Sequence, residues 1–229
     1  MHVTCSICGG QTFESNRVLW PALIAEWGLA PNEVDYIDRQ QGERCIACHG
    51  SLRHIALGNA LRAALGTRQT VKDLVESQIE ATILDVNGAE VISDVLAGLP
   101  NYTRGDYPEV DLQNLPYTDD SFDVILHSDT LEHVPNPLYG LRQCMRVLRP
   151  GGWLCYTVPM VVERLTRSRA GMPPSYHGDP SMGRADYIVH TEYGADAWTH
   201  LARAGFTEIG MHVVSYPAAH ALMGRKPPA

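Results

Sequence analysis

Ile83-Leu84-Asp85-Val86-Asn87-Gly88-Ala89 opens the stretch, residues 83–152, on which the fold turns. Its apolar run carries one carboxylate and stops at an Asn-Gly pair, as a buried strand stops at a tight turn. A second apolar run, Ser121-Phe122-Asp123-Val124-Ile125-Leu126-His127-Ser128, ends in polar residues and leads into Asp129-Thr130-Leu131-Glu132-His133-Val134. Asn136-Pro137 then caps and starts a helix whose Leu138, Leu141, Met145 and Leu148 share one face. Arg149-Pro150-Gly151-Gly152 reads as its stop signal, after which Trp153 to Val158 resumes as a strand. Strands alternating with helices imply an α/β fold with a mostly parallel sheet, whose ligands lie beyond the carboxyl ends of the strands.

Outward from this stretch the same alternation continues. Glu90 to Leu99 reads as the helix after the first turn, and Tyr102 to Tyr107 as a weak strand carrying Asp106 at its end. On the carboxyl side, Tyr193 to Gly205 reads as a helix, Thr207 to Ser215 as a strand and Ala218 to Met223 as a last strand. Met160 to Arg169 is expected to be helical, with Arg164, Arg167 and Arg169 forming a basic patch that meets an anionic substrate or is simply solvated. Residues 171–180 are rich in turn formers, the composition of a lid or substrate loop.

Leu115 to Ile125, then Leu131-Glu132-His133-Val134, then Val147-Leu148-Arg149-Pro150-Gly151-Gly152 resemble, in order and spacing, the class I methyltransferases that use S-adenosylmethionine. The resemblance runs over nearly everything from Ala81 onward. It implies a Rossmann-like seven-stranded sheet with helices on both faces. It also implies Asp85, with Asn87 and Gly88 in its turn, for the methionine end of the cofactor, Asp106 for the ribose, and Asp111 and Leu112 near the adenine. His127 is a further candidate for the cofactor pocket. The family's turn, acidic-x-Gly-x-Gly-x-Gly, is replaced here by Asp85-Val86-Asn87-Gly88-Ala89-Glu90-Val91, which keeps one glycine out of register. Glycines there admit close approach of a ligand to the backbone, and Asn87 is the substitute that tolerates left-handed geometry. The reading requires Asp85 and Asp106 to converge on one pocket.

His133 follows the strand that ends near the transferred methyl group, where an imidazole suits a general base; a packing role is the alternative. His177 is the second candidate base. It lies in Tyr176-His177-Gly178-Asp179-Pro180, a phrase resembling methyltransferases associated with sugar and polysaccharide genes. His177, Asp179 and His190 form a second conceivable metal set, though nothing in their spacing demands it.

Before the first strand stand two C-x-x-C knuckles, Cys5-Ser6-Ile7-Cys8 and Cys45-Ile46-Ala47-Cys48, with 36 residues between them. Four thiolates so paired are the ligand set of a structural zinc site, and the doubled motif is much more specific than either half. Cys45-Ile46-Ala47-Cys48-His49 also matches the c-type haem attachment motif, but haem attachment goes with export, and Met1 to Cys5 has no charged-then-apolar leader. Arg17 to Trp27 reads as a short helix inserted between the knuckles, Ser51 as the cap of a helix ending near Gly66, and Thr70 to Ser77 as another. The expected division is a zinc-knuckle module over residues 1–50, a helical connector over 51–80 and the methyltransferase domain over 81–229.

A net charge of -8 over 229 residues, with a sequence pI near 5.6, argues against a nucleic-acid partner, and no apolar run reaches the length of a membrane span. The sequence is therefore expected to be a soluble cytoplasmic enzyme. Its expected reaction transfers a methyl group from S-adenosylmethionine to an O or N nucleophile of a small-molecule acceptor. The alternatives are a catalytically silent scaffold of the same fold and a cofactor-binding enzyme of other chemistry. The acceptor's identity and the oligomeric state are not written in these residues.

Overall fold

The computed structural model describes residues 3–176 and 187–229. A six-stranded sheet forms its centre, in the order β4 (Tyr102–Gly105), β3 (Ile83–Val86), β5 (Phe122–Ser128), β6 (Leu148–Thr157), β11 (Ala219–Arg225), β10 (Ile209–Val214). The first four strands run parallel to one another, and β11 and β10 close the sheet as an antiparallel hairpin beside β6. Arg149 to Gly152, expected as the stop signal of the preceding helix, lies within β6, which begins at Leu148 paired with Phe122 across an irregularity in register.

Strand periodicity of two sorts the core. Ile83, Val124 and Leu126 face one side and pack with helix α3 (Leu52–Ala64) and helix α5 (Val91–Leu96). Leu84, Val86, Ile125 and Leu154 face the other, against helix α6 (Pro137–Val147) and helix α7 (Trp198–Ala204). Helix α6 starts as the sequence requires: Asn136 Oδ1 accepts the Tyr139 N–H and Pro137 takes the first helical position. At α3 the side-chain bond runs from the other direction, the Ser51 N–H donating to His54 Nδ1 at 3.2 Å. Helix α4 (Val71–Glu76) is capped reciprocally by Thr70 and Asp73.

Two expectations are corrected here. The sheet has six strands among the described residues where the resemblance implied seven: beyond β4 the chain makes turns, because Asp106 and Asp111 backbone carbonyls and the Asp111 carboxylate take the N–H groups of Val110, Asn114 and Gln113. Met160 to Arg169 is not a helix. It forms strands β7 (Met160–Val161) and β8 (Arg167–Ser168), which flank β9 (Thr191–Gly194) in a small second sheet. Its basic patch is neutralised, Arg164 pairing with Glu33 and both Arg167 and Arg169 with Glu192.

The segment between the knuckles holds two helices, α1 (Pro21–Trp27) and α2 (Pro31–Gly42), between β1 (Phe13–Ser15) and β2 (Glu43–Cys45), which pair with each other. Cys5, Ile7, Cys45 and Cys48 are buried in the same apolar cluster as Leu52, Ile55 and the sheet residues Ile83, Val124 and Met223. Backbone bonds from Val71 to Ser6 and from Lys72 to Ile7 tie the first knuckle to α4. The knuckles thus share a core with the sheet. No helix among the described residues is long and apolar enough to cross a membrane.

Candidate functional site

Beyond the carboxyl ends of β3, β4 and β5 lies a cavity of about 710 Å³. Asn87 follows β3, Asp106 follows β4, and Ser128, Asp129 and Thr130 end β5; all of them line it, with Asp111, Leu112, His133 and His190 completing the wall. Volume and position are those of a ligand site in an open α/β sheet.

The turn after β3 solves its missing glycines by strain and by one asparagine. Asn87 takes φ 63° and Glu90 φ 46°, both left-handed. Asn87 stands at the first of the resemblance's glycine positions, and its Oδ1 accepts the Tyr107 N–H at 2.8 Å, joining the turn to the segment after β4. Gly88 also has a positive φ, 73°, and the Arg104 guanidinium lies against it, 2.8 Å from where a Cβ would stand. Arg104 in turn binds both oxygens of Asp106 at 3.0 Å.

Asp85 does not reach this cavity. Strand alternation turns it to the face covered by α5, where it is fully buried and accepts hydrogen bonds from Ser93 Oγ at 2.5 Å and Tyr102 Oη at 2.7 Å. Burial holds its carboxyl above the usual range in spite of both bonds. The expected convergence of Asp85 with Asp106 is therefore corrected: Asp106 and Asp111 face the cavity, and Asp85 braces the turn from beneath through Ser93, which also accepts the Ala89 N–H. His127 likewise lies in the core, stacked on Tyr156 with ring centroids 4.7 Å apart; burial lowers its pKa to about 3. His177 and Asp179 fall outside the described residues.

His133 lies in a short 3-10 turn, Leu131–His133, and its Nδ1 is 2.9 Å from the Ile188 carbonyl. A carbonyl only accepts, so Nδ1 carries the proton. Nε2 stands 3.6 Å from Glu132 Oε1. Beside His133, Arg53 of α3 binds Asp129 and, at 2.8 Å, Glu90. No expectation from the sequence placed Arg53 beside the end of β5. Its one signal was a charged residue in the first turn of a helix made mostly of alanine and leucine.

The four knuckle thiols converge, all Sγ atoms within 4.8 Å of one another. Cys5 and Cys48 are 3.6 Å apart and Cys8 and Cys45 3.7 Å, too long for disulfides of about 2 Å and close to the roughly 3.8 Å edge of a tetrahedron with zinc–sulfur bonds of about 2.3 Å. The two knuckles repeat one turn: Cys5 N–H to Gly10 O and Gly9 N–H to Cys5 O, then Cys45 N–H to Gly50 O and His49 N–H to Cys45 O. His49 thus stands where Gly9 does, with φ 60° and exposed. Gly10 must be glycine, since a Cβ would sit 2.7 Å from Cys45 Sγ. Burial pushes the thiols of Cys5 and Cys48 up, the latter to about 11, so holding these two as thiolates calls for a cation.

Residues 59–156 match the family model described as "Methyltransferase domain". The chain is 27% identical over 167 residues, 73% of its length, to the ubiquinone/menaquinone biosynthesis C-methyltransferase of Roseobacter denitrificans, covering 59% of that protein. It is 29% identical over 132 residues to the ubiquinone biosynthesis O-methyltransferase of Marinobacter nauticus, covering 48% of it and 54% of this chain. The chain thus spans about half the length of these two relatives. Among solved structures, the CurJ carbon methyltransferase aligns over 90% of this chain and 69% of that one, with a TM-score of 0.44 and 13% identity. The family match runs from within α3 to β6, over the parallel strands and the turns that build the cavity, so that the part of the chain carrying the candidate site is the part similar to known methyltransferases.

Proposed function

We propose that the protein transfers a methyl group from S-adenosylmethionine to an oxygen or nitrogen nucleophile of a small-molecule acceptor. The observation that carries this reading is the cavity of about 710 Å³, walled by the residues that end three adjacent parallel strands. Asp106 supports the role of ribose acceptor and Asp111 and Leu112 that of the adenine wall, with Asn87 presenting the turn. When bound, the cofactor supplies an electrophilic methyl carbon whose bond to sulfur breaks as the bond to the nucleophile forms. The residues' part is to align the acceptor and exclude water. His133, whose Nδ1–H is held by the Ile188 carbonyl, is the candidate base for the acceptor's proton, supported by its position in the cavity wall. His177 remains the second candidate base. Cys5, Cys8, Cys45 and Cys48 would hold a structural zinc ion.

One arrangement favours the silent-scaffold alternative: Arg104 lies over Gly88 while Asp85 is withdrawn from the cavity. Calorimetric titration with S-adenosylmethionine and S-adenosylhomocysteine separates the two. Binding of both, weakened in Asp106→Ala, is expected; absence of heat at millimolar ligand would leave only the scaffold.

A further inference from the structure

Next to the strand-end cavity lies a second one, of about 280 Å³, and the two share Asp129, His133 and Tyr187. The segment between the cysteine knuckles builds most of the second cavity's wall. Trp20, Leu23 and Trp27 follow one another at helical spacing along α1 and its cap, so that one face of this short helix looks into the space. Val18 and Leu19 add the preceding loop and Ile37 adds α2.

Bonds to both flanks hold this wall in place. Asp38 Oδ1 accepts the N–H groups of Val18 and Leu19, each at 2.8 Å, fixing the loop against α2. Arg164, from the sheet domain, donates to the terminal carbonyls of α1 at Trp27 (2.9 Å) and Gly28 (2.8 Å) while pairing with Glu33. Tyr36 Oη accepts the Val162 N–H at 3.2 Å. A cavity so anchored is formed before its occupant arrives, which spares the cost of ordering it on binding.

Its charge balance narrows the occupant. Among the described residues the charged lining side chains other than His133 are Arg53, Glu90 and Asp129, and Arg53 is already committed to the two acids. Among the described residues the wall therefore holds one more negative charge than positive, His133 aside, and the basic patch of Arg164, Arg167 and Arg169 is spent on Glu33 and Glu192. A phosphorylated or carboxylated molecule would be repelled, whereas a flat apolar body finds two indoles and four aliphatic side chains.

Resting on the methyl-transfer reading, we propose that this second cavity is the acceptor chamber. The inter-knuckle segment builds it, and it takes an uncharged, largely apolar or aromatic molecule whose hydroxyl or amine points past His133 toward the strand-end cavity. The knuckles would then shape substrate choice by positioning that segment.

Naphthol and naphthyl phosphate are the probes, titrated calorimetrically into the full chain saturated with S-adenosylhomocysteine. Naphthol is expected to bind saturably and naphthyl phosphate not at all. Leu23→Glu and Trp20→Ala should each weaken naphthol about tenfold or more while leaving S-adenosylhomocysteine affinity unchanged, since each removes apolar contact from one cavity and not the other. Trp20 is partly exposed, so its variant is the safer for folding. Naphthyl phosphate binding as well as naphthol, naphthol binding indifferent to both variants, or loss of both ligands together in both variants overturns the proposal. If the wild-type protein takes naphthol but never S-adenosylhomocysteine, the cofactor reading fails and the apolar chamber stands without it.

Discussion

Arg53 and Asp129 form an ion pair between helix α3 and the end of strand β5, with side chains only 8% and 14% exposed. Glu90, Gln41 and Thr157 complete the network, at 2.8, 3.3 and 3.0 Å from Arg53, Asp129 and Asp129 respectively. The pair stands in the wall of the smaller cavity, where the segment before the sheet meets the strand ends.

Removing one partner of a buried pair leaves the other charge uncompensated, at a cost of roughly 3–5 kcal/mol. Arg53→Ala should therefore lower the urea midpoint well beyond the ordinary surface substitution, and Arg53→Lys, which keeps the charge without the fork, should recover part of the loss. A midpoint equal to wild type in Arg53→Ala would show the pair to be dispensable.

Metal analysis of freshly purified protein should give about one zinc per chain, by the tetrahedral thiolate argument. Because Cys5, Cys45 and Cys48 lie in one apolar cluster with α3 and the sheet, chelation should lower the thermal midpoint of the whole protein in a single transition. Cys8→Ser should mimic it. Stoichiometry near zero, or chelation that leaves the melting curve untouched, removes the zinc assignment.

Acid should destabilise the fold through His127. Its folded pKa, about 3, lies below the ordinary histidine value, so the unfolded chain binds the extra proton first. The contribution is fully present above about pH 6.5 and is lost progressively as pH falls toward the folded value, about 1.4 kcal/mol between pH 7.5 and 5.5. His220, lowered to about 4 by burial, adds in the same direction. His127→Phe keeps the stack on Tyr156 and removes the titration, so its stability measured by urea unfolding should fall less steeply with acid than that of the wild type.

Asn87 carries the turn that the resemblance would build from glycine. In Asn87→Ala the left-handed backbone costs about 1–2 kcal/mol, and the bond to the Tyr107 N–H is lost. Asn87→Gly loses only the bond. S-adenosylhomocysteine affinity by calorimetry should therefore fall in the order wild type, glycine, alanine; an alanine variant as tight as wild type would detach this turn from the cofactor.

Much of the frame was legible because it rests on local chemistry. The strand at Ile83, the Asn136-Pro137 helix start, the helix between Thr70 and Ser77 and the closing hairpin all lie where period, caps and turn residues put them. The inserted helix α2 escaped notice because its face mixes Tyr36 and Ile37 with buried Glu33 and Gln40, a pattern that only partners on other elements make sense of. Met160 to Arg169 misled for a related reason: its arginines answer Glu33 and Glu192, acids far away in the chain.

The sequence by itself determined that two cysteine pairs precede an alternating α/β domain, since spacing and period are properties of neighbouring residues. Tertiary structure alone decided that the four thiols meet, that Asp85 braces the turn while Asp106 faces the cavity, and that Trp20 and Leu23 line one cavity with His133. Each of these depends on which face of a strand or helix another element covers, and that is settled only when distant segments pack against each other.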